Sequence, residues 1–247
     1  MDKITLAIPF YNTSRYFKEA TELALKSDFV REIVVSDDCS TDEESNNLKN
    51  IVSELGSDKI KVYRNEKNLG GFRNKYTAVG HATSEWVYLL DSDNNPAEDT
   101  LSIIESIENP NPDLCYVPQT LKLHKVGEDS WEISYNFKYD EIGIDEAQDA
   151  LLKKTKHFDW LLNTGNFVFN RENYLERLSG GYANLDEPVY ACSIAFSYHW
   201  LDNGGRYKVV PGMSYYHRLR NDSYWNSCGS NSDLSARYYH ERIINLQ

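Results

Sequence analysis

The chain has 247 residues, 40% of them hydrophobic and 26% charged, which suits one domain with a substantial core. Its net charge of −12 argues against a nucleic-acid partner, because phosphates favour clustered Lys and Arg. A small phosphate-bearing ligand is not excluded, since a divalent cation can supply positive charge locally. Four scattered cysteines without a CxxC pair predict reduced thiols and a cytoplasmic location. No run approaches the ~20 apolar residues of a membrane span, so no transmembrane segment is expected.

Apolar, β-branched runs alternate with helix-like segments over the first 110 residues. The runs predict four strands, at residues 4–8, 32–35, 60–63 and 85–90. Pro9 is expected to stop the first of them. This alternation predicts an α/β fold with a mostly parallel central sheet flanked by helices. Ligands of such sheets bind at the carboxyl ends of the strands.

Polar residues with capping chemistry mark the starts of the predicted helices. Ser14 is placed to cap the first, and Ser40 stands three residues before Glu43, the spacing of a capping box. Pro96 fits the first turn of a later helix. The second half is less regular. Its strand patterns fall at residues 114–117, 120–124, 131–133 and 165–169. No repeat or linker interrupts the chain, so we expect one domain over residues 1–247.

Four short segments carry polar residues after the predicted strands and in the turn before the third helix. They are Ile8-Pro-Phe-Tyr-Asn12, Ile33-Val-Val-Ser-Asp37-Asp38-Cys-Ser40-Thr41-Asp42, Asn68-Leu-Gly70-Gly71-Phe-Arg73-Asn74 and Leu89-Leu-Asp91-Ser92-Asp93-Asn94. Together they resemble the family 2 glycosyltransferases, the second being close to that family's VVDDGSTD and the fourth to its metal-binding DxD. Each segment alone is weak evidence, whereas four in series are strong. The resemblance implies the GT-A fold, with a nucleotide-sugar half over residues 1–110 and an acceptor half over 111–247.

The resemblance also assigns residues to the nucleotide of a UDP-linked donor. The nucleotide site would be lined by Pro9, Tyr11 and Asn12. Asp38 would accept the N3–H of uracil. Arg73 would support the diphosphate or the nearby aspartates, and a salt bridge on the helix surface is the alternative. Cys39 stands where the family usually has glycine, and because a positive φ is costly for it, we expect the loop to differ in detail.

A diphosphate leaving group carries several negative charges, which a divalent cation can spread as a Lewis acid. Mg²⁺ prefers oxygen ligands, and neutral imidazole suits Mn²⁺ better. By resemblance, Asp93 would hold the metal and His217 would complete its shell. Asp91, with Ser92, would contact the ribose or the donor sugar. The alternatives are that the two aspartates cap the next helix and that His217 is a packed or surface residue.

Family members usually carry an acidic pair at the start of the helix beside the sugar, and the second acid is the expected general base of inverting enzymes. In this chain that position falls around Cys192-Ser193-Ile194 and holds no acid. The nearby acids are Asp186 and Glu187, and we predict Asp186, ahead of Glu187, as the base. The alternative is that both cap the helix that follows.

These residues predict metal-dependent, inverting transfer of a sugar from a UDP-linked donor to a glycan-type acceptor, as in polysaccharide biosynthesis. Arg218 and Arg220 are further candidates to contact the diphosphate. The first alternative is a degenerate glycosyltransferase that binds nucleotide or sugar without transfer. A nucleotidyltransferase or a dinucleotide oxidoreductase is less favoured, because no Gly-rich phosphate loop follows the first strand.

Overall fold

The computed structural model of the protein describes residues 1–125, 129–184 and 190–246. Its strands are β1 (Ile4–Phe10), β2 (Val30–Asp37), β3 (Ile60–Arg64), β4 (Trp86–Leu89), β5 (Asn95–Pro96), β6 (Leu114–Lys125), β7 (Trp131–Ser134), β8 (Val168–Asn170) and β9 (Arg206–Leu219). Its helices are α1 (Phe17–Lys26), α2 (Asp42–Leu55), α3 (Gly71–His81), α4 (Thr100–Glu105), α5 (Ile144–Leu152), α6 (Phe158–Asn163), α7 (Arg171–Ala183), α8 (Cys192–Asp202), α9 (Tyr224–Ser227) and α10 (Ser230–Ile244).

One mixed sheet joins these strands in the order β3-β2-β1-β4-β8-β6-β9-β5, and β7 pairs with β6 beside this path. The strands β1 to β4 pair in parallel. Farther along, β8 is antiparallel to both β4 and β6, while β6 and β9 run parallel. The predicted α/β fold is confirmed, with an all-parallel half in the first 90 residues and a mixed half after them.

Two apolar clusters cover the two faces of the sheet. In β1, Ile4, Leu6 and Ile8 contribute to one cluster, whereas Ala7 between them belongs to the other. A strand buried on both faces reads as a continuous apolar run, which is the pattern that predicted it. The helix α8 is buried along residues 193–201 and packs in the larger cluster. In the described ranges, no helix combines the length and the apolarity that a membrane crossing requires.

The strand β1 continues through Pro9 to Phe10, so the expected stop at Pro9 is wrong. The oxygen of Ala7 accepts the N–H of Leu90, and that of Phe10 accepts the N–H of Asp38. The N–H and C=O groups of successive residues point to opposite sides of a strand. The nitrogen of Pro9 therefore points toward β4, as the oxygen of Ala7 does. The pairing with β4 covers only residues 5–7, so the N–H that proline lacks breaks no ladder bond.

The predicted helix starts are wrong in detail. The side chain of Ser14 caps no helix, and its N–H instead donates to the carboxylate of Glu44 at 2.9 Å. Thr41, not Ser40, caps α2 by accepting the N–H of Glu44 at 3.3 Å. The hydroxyl of Ser40 instead accepts the N–H of Asn12 in the loop after β1. Pro96 lies in β5 rather than in a helix.

Candidate active site

The loops after β1, β2 and β4 meet at the carboxyl edge of the parallel strands. The N–H of Asn12 donates to Ser40 Oγ, and Asn12 Oδ1 accepts the N–H of Thr41, both at 3.0 Å. The hydroxyls of Thr13 and Ser92 share a hydrogen bond of 2.7 Å, which joins the first loop to the DxD segment. Three of the four segments recognised in the sequence therefore form one surface, as parallel strand ends require.

The residues predicted to line the nucleotide site differ in exposure. Pro9 is buried within β1. Tyr11 is 45% exposed, so its ring is open to a planar ligand. Asn12 has a φ of 51°, a left-handed conformation that Asn adopts more readily than most residues. Asn12 is thus fixed by its bonds to the loop after β2, whereas the ring of the adjacent Tyr11 is accessible to a ligand.

Asp38 is buried and accepts three hydrogen bonds from the turn before α3. Its Oδ1 accepts from Leu69 N at 2.8 Å and Asn65 Nδ2 at 3.0 Å, and its Oδ2 accepts from Gly70 N at 3.0 Å. Burial, reinforced by the neighbouring Asp37, raises the pKa of Asp38 above its usual value despite these bonds. The carboxylate joins the second and third sequence segments, and its recognition of uracil stays a prediction.

Asp37 and Cys39 determine the conformation of the loop after β2. Asp37 accepts the N–H of Ser40 at 3.0 Å and the hydroxyl of Ser45 at 2.7 Å, so it serves loop structure. Cys39 has a φ of 57°. The expectation that this loop would differ from a glycine-like conformation is wrong: the cysteine adopts the left-handed conformation, at a cost of about 1–2 kcal/mol.

Arg73 lies on α3 and contacts the end of α7. Its Nε donates to the oxygen of Tyr182 at 3.2 Å, and its Nη2 donates to the oxygen of Asn184 at 2.6 Å. These bonds satisfy carbonyls at a helix terminus, where cations are favourable. Among the residues that the structure describes, the guanidinium forms no ion pair with a carboxylate, and its predicted role toward the diphosphate or the aspartates stays a prediction.

Each aspartate of the DxD segment is paired with a cation. The Asp91 N–H donates to Asn166 Oδ1 at 2.9 Å, and Asp91 Oδ1 lies 2.8 Å from Lys75 Nζ. Asp93 Oδ2 accepts from Arg220 Nε at 2.8 Å. Burial and the nearby Asp91 raise the pKa of Asp93, although Arg220 opposes them. Neither aspartate caps α4, which excludes the capping alternative.

His217 faces the same site from β9. Its Nδ1 lies 3.3 Å from the hydroxyl of Tyr215 and 3.5 Å from Asn94 Nδ2. Burial lowers the pKa of His217, while the nearby Asp93 acts in the opposite direction. Neutral imidazole beside a carboxylate is a ligand pair suited to Mn²⁺.

The described residues offer two ligands to a metal at this site. In the part of the chain that the structure describes, no group of three or more His, Cys, Asp or Glu side chains is arranged to hold a metal ion. Asp93 and His217 fit as two protein ligands, with phosphate oxygens and water completing the shell. Arg220 bonds Asp93 through Oδ2, so Oδ1 is the oxygen that would be offered to the metal.

The predicted general bases, Asp186 and Glu187, lie outside the described residues. The described part of this region resumes before α8, whose first turn contains no acid. There Ser193 Oγ lies 3.3 Å from Lys75 Nζ. The start of α8 thus contacts Lys75, the partner of Asp91, through a serine.

Sequence reasoning missed Lys75. It named Arg218 and Arg220 but not their grouping with Arg15 around Tyr16. Lys75 lies between Phe72 and Val79 on the buried stripe of α3, and a lysine on an apolar helix face is the signal that could have revealed it. The guanidinium carbons of Arg15, Arg218 and Arg220 lie 4.7, 4.5 and 5.3 Å from the centre of the Tyr16 ring. No sequence motif relates Arg15 to Arg218 and Arg220, because it lies near the opposite end of the chain.

Comparison with known proteins gives partial sequence matches. The poly(ribitol-phosphate) beta-N-acetylglucosaminyltransferase TarS of Staphylococcus aureus is 33% identical over 105 residues, which are 41% of this chain and 18% of that protein. The glycosyltransferase GlyG of Streptococcus pneumoniae is 20% identical over 167 residues, 67% of this chain and 54% of that protein. The matches therefore span only part of the length of these relatives.

Solved structures share the fold over nearly the whole chain. Residues 1–349 of S. aureus TarS in complex with UDP-GlcNAc match with a TM-score of 0.66 at 21% identity, over 99% of this chain and 67% of that one. GalNAc-T7 with UDP, GalNAc and Mn²⁺ matches with a TM-score of 0.60 at 19% identity, over 89% and 44%. The predicted GT-A fold is confirmed. The model of glycosyl transferase family 2 matches residues 5–177, more than half of the sequence, and the chain belongs to that family.

Proposed function

We propose that the protein transfers a sugar from a UDP-linked donor to a carbohydrate-type acceptor, with a divalent cation and with inversion at the anomeric carbon. The observation that carries the proposal is the junction of the loops after β1, β2 and β4, where Thr13 is bonded to Ser92 and Asn12 to Ser40. Similar folds are known in complex with UDP-GlcNAc and with UDP, GalNAc and Mn²⁺, which supports both the donor class and the metal.

The donor would lie across this junction. Tyr11 offers an exposed ring against which the uracil base would pack. Asp38 lies in the loop that would hydrogen-bond the edge of that base. Asp91 is placed for the ribose or the sugar. Asp93 and His217 would hold Mn²⁺ or Mg²⁺, which as a Lewis acid would spread the charge of the departing diphosphate.

Inversion requires a base on the acceptor side. The acceptor oxygen would attack the anomeric carbon while the bond to the UDP oxygen breaks, and the hydroxyl proton would pass to a carboxylate. Asp186, and after it Glu187, are the candidates for this carboxylate. An inverted anomeric configuration in the product, read by NMR, is the expected outcome, and a retained configuration would contradict it.

Calorimetric titration of UDP, with and without Mn²⁺, tests the donor site. We expect binding that requires the metal and that Asp93→Ala weakens roughly 100- to 1,000-fold, because the substitution removes a metal ligand. Asp58→Ala, an exposed carboxylate at the opposite end of the strands, is the matched control. Wild-type protein that binds no UDP in Mn²⁺ would overturn the proposal.

One observation favours a second candidate, a degenerate member of the family that binds the donor without transfer. The first turn of α8 carries Cys192 and Ser193 and no acid. Under this alternative UDP binding would persist, but no acceptor would support release of UDP above the rate of donor hydrolysis. Turnover with any carbohydrate acceptor would eliminate it.

A further inference from the structure

Lys75 is an ammonium group buried beside the candidate donor site. Its side chain is 8% exposed, against 27% for that of Asp91, with which it forms an ion pair. The Nζ atom lies 2.8 Å from Asp91 Oδ1 and 3.3 Å from Ser193 Oγ. Three elements therefore meet at one cation: the helix α3, the turn after β4 and the start of α8.

The backbone at Gly165 closes over this group. A Cβ added there would overlap Lys75 Nζ and would lie 2.9 Å from Asp91 Oδ2 and 3.0 Å from Ser193 Oγ. Only a residue without a side chain fits so close to the three polar atoms. The side-chain oxygen of the next residue, Asn166, accepts the N–H of Asp91 at 2.9 Å, so this segment also fixes the backbone of the aspartate.

The surroundings of Lys75 are apolar, which strengthens its interaction with Asp91. Phe72, Leu89 and Phe167 line the small cavity beside it. Burial by itself lowers the pKa of Lys75, but the carboxylate of Asp91 outweighs it and the pKa lies above its usual value. The lysine is therefore a fixed cation rather than a proton acceptor.

The pairing leaves one oxygen of Asp91 available. Lys75 takes Oδ1, and among the described residues no side chain or backbone donor bonds Oδ2. A carboxylate held by one oxygen presents the other as an acceptor in a defined direction. A hydroxyl of a ribose or a sugar is a donor suited to that oxygen.

We propose that Lys75 is a positioning residue for the donor: it orients Asp91 through Oδ1, with Ser193 fixing the ammonium from the far side. The inference rests on the proposed function, because it needs Asp91 to contact the donor. It also explains the serine at the start of α8. An acid at position 193 would compete with Asp91 for the same cation, so this position serves the donor rather than the acceptor.

The test is a double-mutant cycle read as the affinity for UDP-GlcNAc with Mn²⁺, measured by calorimetry. Lys75→Met keeps the length of the side chain and removes its charge. We expect it to weaken binding roughly 10- to 100-fold when Asp91 is present, the effect of losing a hydrogen bond to a charged group. In the Asp91→Asn background we expect the same change to have less than about a twofold effect, because the two residues act as a unit.

Three further variants distinguish the possible outcomes. Lys61→Met removes a lysine that also pairs with a buried carboxylate, Glu32, but at the opposite end of the strands, and should leave donor affinity unchanged. Ser193→Ala should weaken binding a few-fold through the same coupling, and it provides a milder variant if Lys75→Met does not fold. The double variant carries no unpaired buried charge and is expected to fold.

Equal effects of Lys75→Met with and without Asp91 would mean that the lysine only supports packing, and would overturn the inference. An unchanged affinity in Lys75→Met would do the same. In both cases metal-dependent UDP binding by the wild type would leave the proposed function intact. A wild type that binds no UDP would instead overturn the proposed function and, with it, the role of Lys75.

Discussion

The first 90 residues and the rest of the chain form two halves of one sheet, but they deliver residues to the site differently. In the parallel half, each strand returns through a helix, so every strand ends at the same edge. In the mixed half, residues from far along the chain reach the site from the segment after β9 and from the start of α8: Arg220 bonds Asp93, and Ser193 contacts Lys75. The first half thus assembles the loops of the candidate donor site through its topology, whereas the contribution of the second half depends on tertiary packing.

The largest expected effect falls on the predicted base in the second half. Asp186→Asn should lower kcat roughly 100- to 10,000-fold, the usual contribution of general-base catalysis, while the affinity for UDP stays unchanged. Glu187→Gln is the matched control, with a smaller effect expected. Steady-state kinetics and calorimetry together check this. If Glu187→Gln were the more damaging change, the assignment of the base would move to Glu187.

The next prediction tests whether the amino-terminal edge of the parallel half serves stability alone. Buried Glu32 accepts hydrogen bonds from Thr5, Thr83 and Lys61 at 2.6 to 2.8 Å. Burial acts to raise its pKa, but these bonds outweigh it and lower the pKa from 4.5 to about 2. Glu32→Gln should cost about 2–3 kcal/mol of unfolding free energy at neutral pH.

The pH dependence of this loss has a defined sign. Because the folded pKa lies below the unfolded one, the contribution of Glu32 is complete above about pH 4.5 and is lost as the pH falls toward 2. The difference between wild type and Glu32→Gln in urea unfolding should therefore shrink over this range. An equal difference at pH 7 and pH 3 would contradict the assignment, and the exposed Glu54→Gln is the control.

Two adjacent glycines in α7, Gly180 and Gly181, allow the packing of α7 against α8 in the second half to be tested. A Cβ at Gly181 would overlap the His199 ring of α8, whereas a Cβ at Gly180 would meet no atom of the described residues within 4 Å. Gly181→Ala should destabilise the fold by about 1–2 kcal/mol, and Gly180→Ala should stabilise it by up to about 1 kcal/mol. Thermal unfolding of the pair checks this. Equal shifts in Tm would mean that the α7–α8 contact does not limit stability.

The smallest expected effect is at Cys39 in the first half. Cys39→Gly relieves a side chain at a φ of 57° but adds freedom to the unfolded chain, so we expect a net gain of about 1 kcal/mol or less. Chemical denaturation measures it, with Cys228→Gly as a comparison at a position of negative φ. A loss of stability at Cys39 would show that its side chain makes a contact that outweighs the strain.

Much of the parallel half was predictable because its signals are local. The apolar runs of β1 and β2 and the polar residues directly after them lie within a few positions of each other, so their pattern predicts both the strand and the ligand edge. Helix starts were less accurate, since Ser40 and Thr41 both have capping chemistry. The choice between them depends on Asn12, which is distant in sequence and whose N–H donates to the hydroxyl of Ser40.

By itself the sequence determined the fold class, the family and the loops that form the candidate donor site, because strand periodicity and short motifs are encoded within single segments. Only the tertiary structure decided which cation meets which carboxylate. Arg73 was expected to support the diphosphate or the aspartates. In the structure it contacts the end of α7, and Lys75, which no motif singles out, pairs with Asp91. Such pairings depend on how helices pack over the sheet, which brings together side chains that no sequence spacing relates.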